Sequence, residues 1–473
     1  MPKDIRELLK KNSGRQHDLY AKYVNPQFVR VLRTIGFDQN YVRAEGPMLY
    51  DEKGNEYLDM LAGYGVFALG RSNPKIRKAL HDALDLEYPN MVQMDAPLAA
   101  ALLAEKIIGY MPKGVDTVFF TNSGTEANEG AIKFARKFTG KQRIIFWDHA
   151  FHGLTTGSLA LNGGGEFRKG FGDLLPGATK IPMNDIEALR SEIKKGDVAA
   201  FFFEPIQGKG VFIADDSFYS EAEKICRETD VLLICDEVQT GFGRTGKMFA
   251  HQHFNITPDI VTMAKALSGG FVPVGAICYR REIYDKVFTG MEHAVVHSNT
   301  FGRNIMAMAA GLATIDIIEE EKLVENSARV GQFIMDGLKS MQDKFEMLGE
   351  IRGKGLMIGI EFKEPKSISL KIGWKMIHTL NKSLFSQMIV VPLMKNHRIL
   401  TQVAGHNADI VKLLPPLIIN EKHAEIFLTA FEQVTRECHK FPGSAWTVAK
   451  DLAAAAMKSK STLQEGITSD VTQ

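Results

Sequence analysis

The sequence is short of several things, and each shortage narrows what the protein can be. Cysteine occurs four times in 473 residues. Cys226, Cys235, Cys278 and Cys438 show neither C-x-x-C nor any other metal-ligand spacing, which argues against a zinc site. Cys226 and Cys235 sit in apolar surroundings and read as reduced core thiols. No apolar run approaches the ~20 residues that span a bilayer. Charge of one sign is also missing. Lysine plus arginine number 57 against 56 acids, a net charge of +1, so nothing points to a polyanion and nucleic acid is not an expected partner. The opening stretch MPKDIRELLKKNSGRQHDLY has no apolar centre for a secretory signal, and Asp4 and Glu7 do not suit a transit peptide. A cytoplasmic protein is the expectation. Repeats and long low-complexity segments are absent too. What remains is an ordinary globular composition, 45% hydrophobic and 24% charged, at a length that suits one large and one smaller domain.

Hydrophobic periodicity supplies the organisation. In NPQFVRVLRTIGF, Phe28, Val31, Leu32 and Ile35 recur at i, i+3, i+4 and i+7, the face of a helix packed on its own chain or on a partner subunit. From about residue 60 to 325, short apolar runs alternate with helical patterns. TVFF (117–120), RIIFW (143–147), AAFFFEP (199–205), VLLICDE (231–237) and GAICYR (275–280) read as strands, and segments such as 123–139 and 217–229 as helices. This alternation predicts an α/β fold with a mostly parallel sheet, helices on both faces and ligands at the carboxyl ends of the strands. A helical stretch at 319–346 leads to a strand at 356–362, a helix at 373–387 and a strand at 389–393, a smaller α+β unit. The predicted organisation is an N-terminal arm (1–55), a large domain (56–325), a small C-terminal domain (326–440) and a polar, mobile tail (441–473).

Three stretches carry chemistry. In VLLICDEVQTGFGRTG (231–246) an apolar run ends in adjacent carboxylates, Asp236 and Glu237. A strand of that composition is buried on both faces, and a lone charge at its tip is costly, so Asp236 needs a partner. FFTNSGTEANEGAIKFARKFTG (119–140) reads as strand, polar loop and helix, with Ser123 and Glu126 in capping-box spacing. The first-turn N–H groups, with the Ser123 and Thr125 hydroxyls, form either a phosphate cup or simply a capped helix. The lysine of a nucleotide-binding loop is missing there. PDIVTMAKALSGGFVPVGA (258–276) sets Lys265 among Met263, Ala264, Ala266 and Leu267. An apolar setting favours its neutral amine, a nucleophile for carbonyl carbon. Lys265 follows Asp236 by 29 residues, about one strand–helix–strand unit.

A phosphate cup, an imine-forming lysine and a buried aspartate are the three handles of pyridoxal 5′-phosphate, which needs its phosphate anchored, its aldehyde tied and its ring nitrogen kept protonated. At these residues the chain resembles the class III aminotransferases of the ornithine, 4-aminobutyrate and putrescine type. The resemblance runs from about residue 45 to 435 through NSGTEANE, DHAFHG, EPIQGKG, DEVQTGFGRTGKMFA, PDIVTMAKALSGG, TFGRN and RGKGLMIGIEF. It implies a fold-type I α/β enzyme with a seven-stranded-type sheet and an active site across a homodimer interface. The implied reaction is ping-pong transfer of an amino group, through a Lys265 Schiff base, between an amine or amino acid and a 2-oxo acid or other carbonyl compound. Lys265 would also shuttle the proton, Asp236 would pair with the pyridinium nitrogen and Phe151 would stack on the ring. Ser123, Gly124 and Thr125 would hold the phosphate, helped by Thr300 of the neighbouring subunit. Gln239 would reach the ring's phenolic oxygen, His152 would orient its loop beside the cofactor, and Glu204 and Tyr64 would line the substrate side. Decarboxylases, aminomutases and epimerases share this fold and stand as the alternative; a non-catalytic binding role would require loss of Lys265 or Asp236, and both are present.

The pattern departs where many members place an arginine three residues before PPL to grip the substrate carboxylate. DIVKLLPPLII has Lys412 there, a point charge instead of a planar fork. Arg398, in the longer segment before it, is the other candidate. Arg303 in TFGRN stands where glycine is common. The donor is therefore expected to be other than a simple α-amino acid: a terminal amine, or a lipophilic one suited by the apolar Ile389, Val390, Val391 and Leu393.

Overall fold

The computed structural model describes residues 4–92, 94–380, 384–405, 409–443 and 446. Its centre is a seven-stranded sheet in the order Val115–Thr121, Gly275–Arg280, Ile260–Met263, Leu232–Asp236, Val198–Phe203, Arg143–Trp147 and Ala178–Ile181. Gly275–Arg280 runs antiparallel to both neighbours and the remaining pairs are parallel. Parallel strands are covered on both faces, and every residue of Val198–Phe203 and Leu232–Asp236 is buried. Phe201, Phe202 and Phe203 are almost fully enclosed, each stabilising the fold by roughly 1.5–3 kcal/mol relative to exposure.

Two smaller sheets flank this one. Leu348–Lys354, Met357–Phe362, Ile410–Leu413 and Gln402–Val403 form an antiparallel sheet in that order. Tyr41–Glu45, Met48–Asp51 and Glu56–Asp59 form an antiparallel meander, joined in parallel by Ile399–Leu400. Leu58 and Met60 thus donate to the carbonyls of Arg398 and Leu400, tying the beginning of the chain to its C-terminal third.

Several expectations are corrected. The apolar run at 389–393 is not a strand but lies inside the helix Leu384–His397. Its Ile389, Val390, Val391 and Leu393 are core residues; a helix buried on all sides shows no 3.6-residue period, so the run mimics a strand. The helix expected at 373–387 is Ile368–Leu380. The stretch at 319–346 holds the helix Leu323–Lys339 and the end of Ile305–Glu320. Between Asp236 and Ile260 there is no α-helix, only glycine-punctuated loop and the short 3-10 turn Ala250–His253. The tail expected at 441–473 lies almost wholly outside the described residues; of it, Trp446 is buried and donates to the Cys438 carbonyl at 3.0 Å. No helix among the described residues is long and apolar enough to cross a membrane. All four cysteines are buried and unpaired.

Candidate active site

The carboxyl ends of the parallel strands open on one cavity of about 1050 Å³. At its floor stands Asp236, the last residue of Leu232–Asp236 and 3% exposed. One carboxylate oxygen accepts from Asn128 Nδ2 and from His152 Nδ1, each at 2.8 Å; the other accepts from the Val238 N–H at 3.0 Å. Hydrogen bonds to a charged group contribute about 1.5–3 kcal/mol each, so three donors fix the carboxylate in place. The neighbouring Glu237 faces the other way. Its buried oxygens accept from the Ala250 and His251 N–H groups, His251 Nδ1 and the Thr240 hydroxyl. Cys235, Glu237 and His251 lie close enough to suggest a metal cluster, but these bonds already engage both carboxylate oxygens.

Lys265 follows the strand Ile260–Met263 and starts the 3-10 turn Lys265–Ser268. Its φ is +43°, a left-handed conformation that costs about 1–3 kcal/mol for a non-glycine residue. The side chain opens on the cavity. Burial lowers its pKa, opposed by the charges of Asp236 and Glu204. No hydrogen bond engages its amine among the described residues.

The helix Gly124–Thr139 points its first turn into the same cavity. Ser123 caps it, its hydroxyl accepting from the Glu126 N–H at 3.3 Å. The return bond of the expected capping box is shifted by one residue: Glu126 accepts from the N–H and the amide of Asn122. Thr125 Oγ1 lies 2.7 Å from the hydroxyls of both Thr155 and Ser158. A Cβ on Gly124 would come within 2.7 Å of Val238, and one on Gly153 within 2.3 Å of Thr125 Oγ1, so both glycines are needed for this close approach.

Opposite this end, a chain of hydrogen bonds crosses the cavity wall. Gln239 donates to the Tyr64 carbonyl at 3.1 Å and accepts from Lys412 Nζ at 3.3 Å. Lys412 also donates to the Gly208 carbonyl at 2.6 Å. The Gly208 N–H donates to Glu204 at 2.8 Å, and the other Glu204 oxygen accepts from the Phe151 N–H at 3.0 Å. Burial pushes the Glu204 carboxyl up, with Asp236 adding to the effect and His152 opposing it. Burial, then the nearby Lys265, brings Lys412 down to about 7. Tyr64 is held by a run of left-handed residues from Ala62 to Gly65.

A phosphate-sized helix terminus, an unbonded amine and a buried anion on one cavity are what pyridoxal 5′-phosphate requires, so the residues present fit that cofactor. Residues 34–435 match the family model of class-III aminotransferases. The chain belongs to the class-III aminotransferase family. It is a pyridoxal-phosphate-dependent transaminase, and its fold is the fold-type I arrangement of such enzymes. Its similarity to a putrescine aminotransferase of Pectobacterium atrosepticum is 36% identity over 433 residues, 88% of each chain. With the aminotransferase PigE of a Serratia species it is 34% over 456 residues, 90% of this chain but 54% of that protein. The chain therefore spans about half the length of PigE. A solved ω-transaminase of Pseudomonas jessenii in complex with PMP superposes with a TM-score of 0.78 at 28% identity, covering 89% of this chain and 97% of that one.

In this aminotransferase most residues singled out from the sequence line the one cavity: Ser123, Gly124, Thr125, Phe151, His152 and Glu204, with Tyr64, Asp236, Gln239, Lys265 and Lys412. Two do not. Arg398 lines a separate pocket of about 350 Å³ beside His397 and His423, because it ends the helix Leu384–His397 on the far side of the arm's meander. Thr300 is exposed and off the cavity wall of its own chain. Asn128 was missed, although it bridges Asp236 and the His152 carbonyl. Its signal was a polar residue interrupting the buried stripe Ala127, Ala131, Phe134.

Proposed function

We propose that this transaminase takes a terminal amine as donor and a 2-oxo acid as acceptor, with Lys265 as its catalytic amine and Asp236 as the anchor of the cofactor's ring nitrogen. The observation that carries the reading is the pairing of Lys265 and Asp236 on one cavity. When bound, the cofactor supplies a carbonyl carbon for amine exchange and a ring that takes up the electrons of the substrate's C–H bond. Lys265, favoured as a neutral amine by burial, removes the proton from the substrate carbon and returns it during transfer. Asp236 would meet the pyridine nitrogen, and the donors on its carboxylate hold it in place. Ser123, Gly124 and Thr125 would hold the phosphate at the helix terminus and Phe151 would cover the ring, while His152 fixes Asp236 from behind.

Lys412 takes the acceptor's carboxylate in this reading, and Arg398 has no part in it. The names of the similar putrescine aminotransferase and ω-transaminase support a donor with a terminal amine. A homodimer is part of the proposal, with Thr300 serving the partner's cofactor. Exposed Phe28, Val31, Met291, Val296 and Phe301 supply apolar surface for a second copy to cover, and larger exposed patches of this kind mark interfaces. A cytoplasmic location accords with four unpaired thiols. The test is to purify the protein, record its visible imine band, and follow bleaching by a panel of amines together with keto-product formation. Carbon dioxide release or isomerised amine in place of a keto product would overturn transamination, and light scattering at monomer mass would overturn the dimer.

A further inference from the structure

The substrate end of the cavity is richer in hydrocarbon and in cations than a diamine requires. Beyond the Tyr64–Gln239–Lys412–Gly208–Glu204–Phe151 chain of hydrogen bonds, the wall is formed by Phe151, Phe167 and Val403, with Ala404 beside them. Phe167 meets Phe151 edge-on, ring centroids 5.5 Å apart at 71°. Lys209 Nζ lies 4.2 Å from the centre of the Phe167 ring and 5.5 Å from that of Phe151, and it pairs with Glu166 at 2.8 Å. A second cation, Lys412, closes the opposite side.

A distal ammonium finds little to meet it here. Among the described residues of this chain, the carboxylates on the cavity are Asp236, committed to Asn128, His152 and Val238, and Glu204, whose two oxygens each accept a backbone N–H. Burial pushes the Glu204 carboxyl up, toward its neutral form. Glu166 faces Lys209 and does not line the cavity. A second ammonium entering this end meets Lys412 and the amine of Lys209, itself held against Glu166, and neither is a partner for it; such a mismatch is the kind of element that sets specificity. An uncharged tail meets aromatic and aliphatic surface, at about 25 cal/mol for each Å² removed from water.

We propose that the amine donor is a monoamine with an uncharged, apolar tail lying along Phe151, Phe167 and Val403, and that Lys209 turns away a second ammonium. This rests on the transaminase reading of the same site and narrows its donor class. It also separates the protein from what the name of the similar putrescine aminotransferase suggests.

The test compares n-pentylamine with putrescine, which match in chain length and differ in the distal group, using pyruvate as acceptor. Pentylamine is expected to exceed putrescine in kcat/KM by about tenfold or more, the size of a single unfavourable charge contact. Lys209→Met should narrow the ratio by raising putrescine, and Lys209→Arg should restore it. Calorimetric Kd values for the two amines on the cofactor-loaded Lys265→Ala protein give the same comparison without turnover. Putrescine equal to or better than pentylamine in the wild type would overturn the inference and leave transamination standing. A ratio unmoved in Lys209→Met would remove Lys209 from it. Failure of every amine to bleach the imine band would take down the reading of the site together with the inference.

Discussion

The two ends of the cavity are built in different ways. At the cofactor end, Ser123, Asp236 and Lys265 each stand within two residues of a strand's carboxyl end, with Gly124 and Thr125 directly following Ser123, and a parallel sheet brings those ends together on one edge. At the substrate end, Tyr64, Gln239, Lys412 and the Glu204–Gly208 stretch come from four separate places in the chain and meet through side-chain and backbone hydrogen bonds. The first end is rigid by topology and the second by a bonded network. Substitutions at the first should therefore abolish chemistry, whereas those at the second should redistribute affinity between substrates.

Four expectations sharpen or break that contrast. The largest effect belongs to Lys265→Ala, which should lower turnover at least about 10³-fold, as expected when a proton-transfer group is removed, and should abolish the visible imine band. A band that survives would break the assignment of the cofactor end. Asp236→Asn follows, with kcat reduced about 10²–10³-fold while Tm moves little, since Asn retains an acceptor for Asn128 or His152; kcat within tenfold of wild type would deny Asp236 its electrostatic role. Lys412→Met is next. It should raise KM for the oxo acid by roughly 10–100-fold, the scale of a charge-assisted bond, and the amine half-reaction should change far less. Equal loss in both half-reactions would erase the distinction between the ends.

The smallest effect is a pH dependence. Lys412 sits near 7 instead of the ordinary lysine range, so its ammonium is present below that pH and lost above it. Capture of a carboxylate needs the ammonium, so kcat/KM for the oxo acid should fall as pH rises through about 7 in the wild type. In Lys412→Arg, whose guanidinium stays charged, that decline should flatten. A slope unchanged by the substitution would assign the titration elsewhere.

Legibility in the sequence follows the same division. Asp236 could be read because an apolar strand ending in a carboxylate poses a physical problem that a partner must solve. Lys265 could be read because a lysine among apolar residues is unusual chemistry. The partner of Lys412 could not. It reaches Gly208 and Gln239 through the register that sets it opposite Gly359 on one side and Gln402 on the other, and a register has no local signature. The placement of Arg398 off this cavity was illegible for the same reason, since a charge in a variable segment says nothing about which side of the fold it faces. The run at 389–393 failed because total burial erases helical periodicity. Glu237 shows the converse: adjacent to Asp236 in the chain, it points away because side chains alternate across a strand and the following loop folds back to bond it.

The sequence alone determined the strand–helix alternation, the carboxyl-end placement of Ser123, Asp236 and Lys265, and with them the cofactor chemistry, because these depend on short-range pattern and on the one edge where parallel strands end. Only the tertiary structure decided that Lys412 lines the cavity and Arg398 does not, that Asn128 and His152 hold Asp236, and that Lys209 and Phe167 close the far wall. Those contacts join residues far apart in the chain, and their geometry is set by packing and strand register, which no local stretch encodes.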